Sequence, residues 1–448
     1  MKVHILEQIL GIKTYLTKIE GIGGILRKYI SDFVVDEILL NQKRASSLGK
    51  YSEEKKNGNY THFVFKKVNW ATIEAIKFIA RKLKISHKRF SYAGNKDKRA
   101  IAFQVGSVYN VKPSLLIRKF HPNLEVLNAW LADKPIRLGQ LWGNFFRIIV
   151  RDFQDSSNIE EHLRFIYNEL QSLGGVPNFF GHQRFGVQRP ITHIVGKYIL
   201  KGDYEKAVKT LLGDVFELEG SDAKEARIYL VESGWNYRKA ISKFPNRLKT
   251  EIRLMQYLIK HPDDYLGALK SLPLTIFKIF IHAYQSYIFN ESLSYRIAEG
   301  YPLNIAIEGD IVLQVDDYGL PISFPYIVTS KNIERVNELI RKRKLVIAHP
   351  IIGYKSVLPQ NKIGDFYEKM LIHENVDKSN FLFKDLPELS SKGTYRQILA
   401  PIYWQSEPKI IATNNNINYI EFNFSLQKSS YATIVMREFM KTHPRNYV

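Results

Sequence analysis

Alternation of apolar and polar residues predicts strands in the first part of the chain. Segments 33–38, 61–68 and 144–150 have strand-like patterns, and 101–105 is a shorter candidate. Segment 70–83 instead places its apolar residues on one face at helical spacing. Strands and helices therefore follow one another here without the regular rhythm of a parallel sheet, which favours an α+β domain.

Helical periodicity dominates from about residue 190 onwards. Apolar residues recur at helical spacing in 248–259, and 274–297 is predicted to be a long buried helix. Strand candidates return at 310–315 and 419–424. We expect a helix-rich middle region that is inserted into, or appended to, a strand-rich domain.

The polar segment 41–60 lies between two predicted strands and carries charges of both signs. Such a composition is typical of a loop, and we expect this one to be mobile.

The net positive charge of the chain indicates what kind of partner it binds. The chain has 448 residues, with 65 Lys and Arg against 44 Asp and Glu, which gives a formal net charge of +21. At about 100–200 residues per domain, we expect two to four domains. An excess of positive charge repels itself unless a polyanion offsets it, so nucleic acid or an anionic membrane surface is the expected partner. A basic housekeeping enzyme without such a partner is the alternative.

Cysteine is absent, which excludes disulfides, thiolate chemistry and Cys-ligated metal sites. The N-terminal residues carry charges inside their apolar stretch and do not form a signal-peptide core. No segment approaches the ~20 apolar residues of a membrane span. We expect a soluble, cytoplasmic protein. Because the sequence shows no amphipathic anchor, we expect no binding to membrane surfaces either.

The densest basic segment is 81–99, which contains eight Lys and Arg residues and a single acid, Asp97. Most charge runs are only solvated surface. A polyanion-binding surface, however, gains nothing from one acid at its centre unless that acid has a role. The pattern therefore favours Asp97 as a reactive carboxylate held close to bound phosphates.

A second cluster, NFFGHQRFG at 178–186, interleaves three phenylalanines with Asn178 and Arg184. Core packing explains it as well as function does. Aromatic, amide and cationic side chains together also suit a surface on which RNA bases stack. A third segment, 429–441, is predicted to be a terminal helix whose Tyr431 could be surface, core or site.

Other motifs are missing. The chain has no GxxxxGK[ST] phosphate loop and no HExxH metal pair, and its twelve histidines match no metal-binding spacing. These observations leave no candidate site for a metal or a nucleotide cofactor.

Seven segments, spread over nearly the whole chain, are considered together: SDFVVDEI (31–38), YAGNKDKRAIAFQ (92–104), LGQLWGNFFRIIVR (138–151), NFFGHQRFG (178–186), AYQSYIFNESLSYR (283–296), GTYR (393–396) and FSLQKSSYATIVMREFMK (424–441). Together they resemble the TruD family of tRNA pseudouridine synthases, of an archaeal type. The resemblance implies a catalytic domain with a mixed, largely antiparallel sheet, at 1–190 and 405–448, and an inserted helix-rich TruD domain at 191–404.

The resemblance also implies roles for individual residues. Asp97 falls on the family's catalytic aspartate. Phe33 and Asn178 fall on substrate contacts, and Phe180 on the aromatic residue that packs on the target base. Tyr431 is a further substrate contact, at a position where bacterial members tend to have Phe.

Cations close to these positions are candidates for binding the RNA. Lys96 and Arg184 are predicted substrate contacts. The predicted phosphate contacts are Lys88, Arg89, Lys98 and Arg99. His182 stands where bacterial members have Glu.

The implied reaction converts uridine to pseudouridine: the N1–C1′ bond breaks, the uracil turns and a C5–C1′ bond forms. This isomerisation needs a carboxylate near the ribose and uracil, but no redox cofactor and no metal. The uridine must also leave its stack. The family implies position 13 of tRNA, with position 35 of some precursors as a plausible addition, and a monomer is favoured.

Two other functions remain open from the residues. A non-catalytic RNA-binding protein could use the same basic and aromatic surface. A phosphodiesterase would cleave the strand, but it usually needs paired metal-binding carboxylates, which the sequence does not offer with convincing spacing.

Overall fold

The computed structural model describes residues 2–50, 57–153, 158–384, 386–411 and 419–447. In chain order the strands are β1 (Gly23–Leu26), β2 (Phe33–Ile38), β3 (Tyr60–Val68), β4 (Phe90–Tyr92), β5 (Ile101–Tyr109), β6 (Lys119–His121), β7 (Leu124–Ala132), β8 (Gly143–Phe153), β9 (Gly175–Pro177), β10 (Ile311–Val315), β11 (Pro321–Ile327), β12 (Leu345–Ile351), β13 (Thr394–Gln397), β14 (Leu399–Ile411) and β15 (Tyr419–Gln427).

The helices are α1 (Ile5–Gln8), α2 (Thr72–Lys82), α3 (Ile159–Leu173), α4 (Thr192–Leu200), α5 (Tyr204–Gly213), α6 (Ser221–Glu232), α7 (Tyr237–Ala240), α8 (Lys249–Lys260), α9 (Tyr265–Lys270), α10 (Leu274–Ala298), α11 (Ile333–Arg341), α12 (Lys362–Glu374) and α13 (Ala432–Met440).

These elements form two compact units. The sheet unit comprises 17–176 and 400–447, and the helix-rich unit comprises 1–16 and 177–399. Within the helix-rich unit, the backbone of Phe180 exchanges hydrogen bonds with the side chain of Asn290 on α10. The inserted domain at 191–404 remains a prediction.

The sheet unit is built on one eleven-stranded sheet. The strand order is β6-β7-β3-β5-β2-β8-β15-β14-β9, with β1 alongside β8 and β4 alongside β5. β2 and β5 run parallel, whereas β5 with β3, β2 with β8 and β8 with β15 run antiparallel. The predicted α+β class and mixed, largely antiparallel sheet are confirmed.

Helix α2 covers one face of this sheet. Its buried residues Ala75, Ile76 and Ile79 pack in a cluster with Phe63 and Phe65 of β3. Full burial of one such large apolar side chain contributes about 1.5–3 kcal/mol. This packing fixes β3 and the start of α2, both of which contact the segment that contains Asp97.

The helix-rich unit is organised around the 25-residue helix α10, which confirms the long buried helix predicted at 274–297. Its core includes Val195 and Ile199 of α4 together with Tyr284 and Ile288 of α10. A four-stranded sheet, in the order β11-β10-β12-β13, also belongs to this unit. Only β10 of this sheet was predicted from the sequence.

The predicted loop at 41–60 contains a short 3₁₀ helix, Ala45–Lys50, in which Ala45 and Leu48 are buried. The rest of that prediction includes residues 51–56, which lie outside the described residues.

Candidate active site

Asp97 lies on the loop that joins β4 to the central strand β5. Ala93 and Ala100 at the two ends of the loop are buried, which anchors it on the sheet. The Asp97 side chain is 36% exposed, so a ligand can reach its carboxylate.

Arg27 contacts the carboxylate of Asp97 directly. Its Nη2 lies 3.1 Å from Oδ1 of Asp97, and its guanidinium carbon lies 4.0 Å from the ring centre of Phe33. Burial lowers the pKa of Arg27, the charge of Asp97 opposes that change, and Arg99 adds to it. Arg27 therefore holds Asp97 from one side while Phe33 supports the flat face of the guanidinium.

Phe33, a predicted substrate contact, is the first residue of β2 and is 1% exposed. Its ring packs edge-on against Phe146 of β8, with 6.1 Å between ring centres. In this structure Phe33 contacts the site through Arg27.

Lys67 of β3 approaches the same loop from the protein interior. Its Nζ donates hydrogen bonds to the carbonyls of Trp70 and Asp97, both at 2.7 Å, and lies 3.4 Å from the carbonyl of Lys96. Burial lowers the pKa of Lys67 to about 8, Asp97 opposes this change and Lys96 adds to it. The backbone of the loop is thus held by a buried cation.

Lys96, a predicted substrate contact, points into the interior. Its Nζ lies 2.7 Å from Oε2 of Glu37, and the two side chains are 4% and 2% exposed. The other carboxylate oxygen of Glu37 accepts a hydrogen bond from the amide of Val105 at 3.2 Å. The side chain of Lys96 therefore neutralises a buried acid instead of facing solvent.

Polar side chains fix the backbone of the loop as well. The amide of Lys96 donates to Oγ1 of Thr72 at 3.0 Å, and that hydroxyl donates to Oε1 of Gln104 at 3.1 Å. Gln104 Nε2 in turn donates to the carbonyl of Gly94. Asp97 thus sits on a preorganised loop, as a reactive side chain requires.

The side chains of the predicted phosphate contacts differ in the contacts that they already make within the protein. Lys88 is exposed, whereas Arg89 Nε donates to the carbonyl of Tyr109 at 3.0 Å. Lys98 lies 3.3 Å from Glu74 at the surface. Arg99 Nη2 lies 3.4 Å from the carbonyl of Lys28.

Tyr431, in the same unit, is the residue immediately before α13 and is partly buried. Its neighbours Ala432 and Thr433 are buried in the helix. The side chain thus lies where the chain leaves β15 and enters α13.

Asn178 and Arg396 form a buried polar pair in the helix-rich unit. Arg396 Nε donates to the carbonyl of Asn178 at 2.9 Å, and Nη2 donates to its Oδ1 at 2.6 Å. Asn178 Nδ2 donates to the carbonyl of Gln397 at 3.0 Å. Arg396 belongs to the GTYR segment, but the sequence had given no role to this residue.

Phe180 is 8% exposed and lies against cations. The guanidinium carbons of Arg396 and Arg184 lie 4.1 and 5.7 Å from its ring centre. Arg184 also donates from Nε to Oγ of Ser286 at 3.0 Å. His182, in the 3₁₀ turn between them, is 2% exposed.

Several residues that contact Asp97 or support its loop were missed from the sequence: Arg27, Lys67, Glu37, Thr72 and Gln104. Glu37 lies in the quoted SDFVVDEI segment, which was a usable signal. Arg27 and Lys67 lie 70 and 30 positions from Asp97, and no local pattern connects them to it.

Two further features concern the ranges that the structure describes. There, no helix is long and apolar enough to cross a membrane. Nor do three or more His, Asp or Glu side chains come together within those ranges in a group that could hold a metal ion.

Comparison with known proteins identifies the family. Residues 9–439 match the family model described as tRNA pseudouridine synthase D (TruD). The chain is 37% identical over 450 residues to a protein of Methanosarcina mazei and 38% identical over 454 residues to one of Methanosarcina acetivorans. Both are described as probable tRNA pseudouridine synthase D, and the alignments cover 99% of this chain and 99% and 98% of theirs.

The structure agrees with the sequence match. A crystal structure from Methanosarcina mazei, described as a putative tRNA pseudouridine synthase D (TruD), superposes with a TM-score of 0.82 at 37% identity, and the alignment covers 99% of each chain. The chain therefore belongs to the TruD family of tRNA pseudouridine synthases and is an isomerase that acts on tRNA.

Proposed function

We propose that Asp97 is the catalytic carboxylate of this synthase and that its target is uridine 13 of tRNA, with uridine 35 of some precursors as a further target. The observation that carries the role of Asp97 is its environment. Its carboxylate is open to solvent on one side and contacted by Arg27 on the other.

The chemistry requires such a group. The N1–C1′ bond of uridine breaks, C5 bonds to C1′, C5 loses its proton and N1 ends with one, so the atoms balance without a co-reactant. A carboxylate can assist as a nucleophile or as a base, and both roles need an ionised, reachable oxygen. Arg27 Nη2 donates to Oδ1 of Asp97 at 3.1 Å, and this contact orients the carboxylate.

The other residues of the sheet unit support this role in different ways. Phe33 supports Arg27, and Lys96 holds the loop through Glu37. Lys88, Lys98, Arg89 and Arg99 remain predicted phosphate contacts. Tyr431 remains a predicted substrate contact.

In the helix-rich unit, Asn178, Phe180 and Arg184 remain predicted substrate contacts. The cations around Phe180 would favour a bound nucleotide, because a phosphate complements their charge. A base that stacks on an aromatic ring gains about 1–3 kcal/mol.

The test is Asp97→Asn, which keeps the size of the side chain and removes its charge. We expect pseudouridine formation in tRNA to be lost while tRNA binding stays within a few-fold of the parent. Asp317→Asn, the same change at an exposed turn, is the matched control and should keep full activity. Turnover by Asp97→Asn would refute the role of Asp97.

The target position is tested separately. Carbodiimide mapping of tRNA incubated with the purified protein should show pseudouridine at position 13. Modification elsewhere, with position 13 unmodified, would refute the assigned target. A denaturing gel should show intact tRNA, since isomerisation leaves the strand uncut.

A further inference from the structure

Lys67 is a buried lysine that makes no ion pair with any carboxylate in the described ranges. The residue is 0% exposed, and its ammonium group approaches three backbone carbonyls. The carbonyls come from two segments: Trp70 lies just before α2, and Lys96 and Asp97 lie on the loop before β5. One side chain therefore ties the start of α2 to the loop of Asp97.

This arrangement is unfavourable for folding alone. A buried ammonium group without a direct ion pair costs free energy, and an apolar residue at an interior strand position would avoid that cost. The neighbouring charged side chains form ion pairs with other residues. Lys96 is occupied by Glu37, and the carboxylate of Asp97 is held by Arg27.

We propose that Lys67 is a positioning residue, which fixes the backbone of Asp97 and keeps a positive charge beneath the loop. This inference rests on the proposed role of Asp97 and adds to it the group that holds the carboxylate in place. Lys67 acts through the carbonyl of Asp97, 2.7 Å from its Nζ, and does not itself contact substrate.

A pH dependence follows from the position of Lys67. Burial and the charge of Lys96 lower its pKa to about 8, although Asp97 opposes the change, so Lys67 loses its proton just above neutral pH. The neutral amine keeps fewer donors for its carbonyls and no charge beneath Asp97. Turnover should therefore decline above about pH 8.

The experiment compares kcat at saturating tRNA from pH 6.5 to 9.5 in the parent, Lys67→Met, Lys67→Arg and Lys66→Met. Lys66 is the neighbouring lysine on β3 and is only partly buried, so its replacement removes the same charge without touching the loop. Binding of tRNA is measured for each variant in parallel.

We expect Lys67→Met to lower kcat by 100-fold or more, while the Kd for tRNA changes by less than about threefold. Lys67→Arg should keep part of the activity and lose the decline above pH 8, because a guanidinium stays charged throughout this range. Lys66→Met should behave like the parent.

Parent-like kcat in Lys67→Met, or an unchanged alkaline decline in Lys67→Arg, would overturn the proposal. Should Lys67→Met fail to fold, the profiles of the parent and Lys67→Arg decide alone. An inactive Asp97→Asn beside a fully active Lys67→Met would remove only the role of Lys67. An active Asp97→Asn would remove the proposed function itself.

Discussion

Arg27 Nη2 and Asp97 Oδ1 lie 3.1 Å apart, although 70 positions separate the two residues in the chain. The contact exists because β1, which ends one residue before Arg27, and β5 belong to the same sheet. Arg27 itself has a positive φ of 56°, a conformation that directs the chain out of β1. The pair joins the proposed catalytic carboxylate to a cation that is mostly buried.

Replacement of Arg27 by Gln should lower kcat about 100-fold, which corresponds to about 2.7 kcal/mol. The reason is that Asp97 loses the charged group that orients it. Binding of the RNA should change little, because the Arg27 side chain is only 11% exposed. The matched control is Lys28→Gln, which removes an exposed cation that is paired with Asp152. Steady-state kinetics on tRNA distinguish the two, and equal effects would show that Arg27 contributes only bulk charge.

Replacement of Glu74 by Gln should tighten tRNA binding. Glu74 lies 3.3 Å from Lys98, a predicted phosphate contact, and both side chains are more than half exposed. Removing the acid frees one cation, so the slope of log K against log salt should become steeper by about 0.7–0.9. Binding titrations over a range of KCl concentrations measure this slope. Unchanged or weaker binding would argue that Lys98 does not face the RNA.

Stability and activity should diverge at alkaline pH. The pKa of Lys67 is lowered in the folded protein to about 8 from 10.5, so between these values the unfolded chain binds more protons. Unfolding free energy should then rise with pH across this window, by at most about 3 kcal/mol from this group.

Urea unfolding at pH 7.5 and pH 10 tests whether the unfolding free energy rises with pH. The reference is Lys67→Met, which lacks the titrating amine. The prediction is contradicted if the parent gains no stability between the two pH values relative to Lys67→Met. If the gain is found, an alkaline loss of turnover is not caused by unfolding.

Arg396→Met should lower the free energy of unfolding by about 1–3 kcal/mol, because the carbonyl and Oδ1 of Asn178 lose a buried donor. Arg335→Met is the control, since Arg335 is exposed on α11 and pairs with Glu338, and it should change stability by less than about 0.5 kcal/mol. Chemical denaturation measures both. A parent-like stability in Arg396→Met would mean that water replaces the guanidinium.

Elements with a strong local pattern were predicted well from the sequence. The strand at 33–38 and the helix at 274–297 are observed as Phe33–Ile38 and Leu274–Ala298. Both patterns reflect which faces of a local element are buried, and this information lies within a few neighbouring residues. Strand β12, Leu345–Ile351, was missed, since its Pro and His interrupt the apolar run.

The candidate site was predicted only in part. Asp97 stood out because it is the single acid in a basic segment, a property that needs no tertiary structure. Lys96 was expected to contact substrate, yet its side chain turns inward to Glu37. Local sequence does not reveal that direction, which depends on an acid that β2 supplies.

The net charge of the sequence thus predicted a polyanionic partner, and its ordered motifs identified the family. The single acid in the basic segment 81–99 identified Asp97 as the residue to test. The tertiary structure alone decided which cations hold that acid. Arg27, Lys67 and Asp97 come from separate segments, and only the order of strands in the sheet brings them together. Contacts between distant segments depend on that strand order, whereas periodicity along the chain records only the burial of each element by itself.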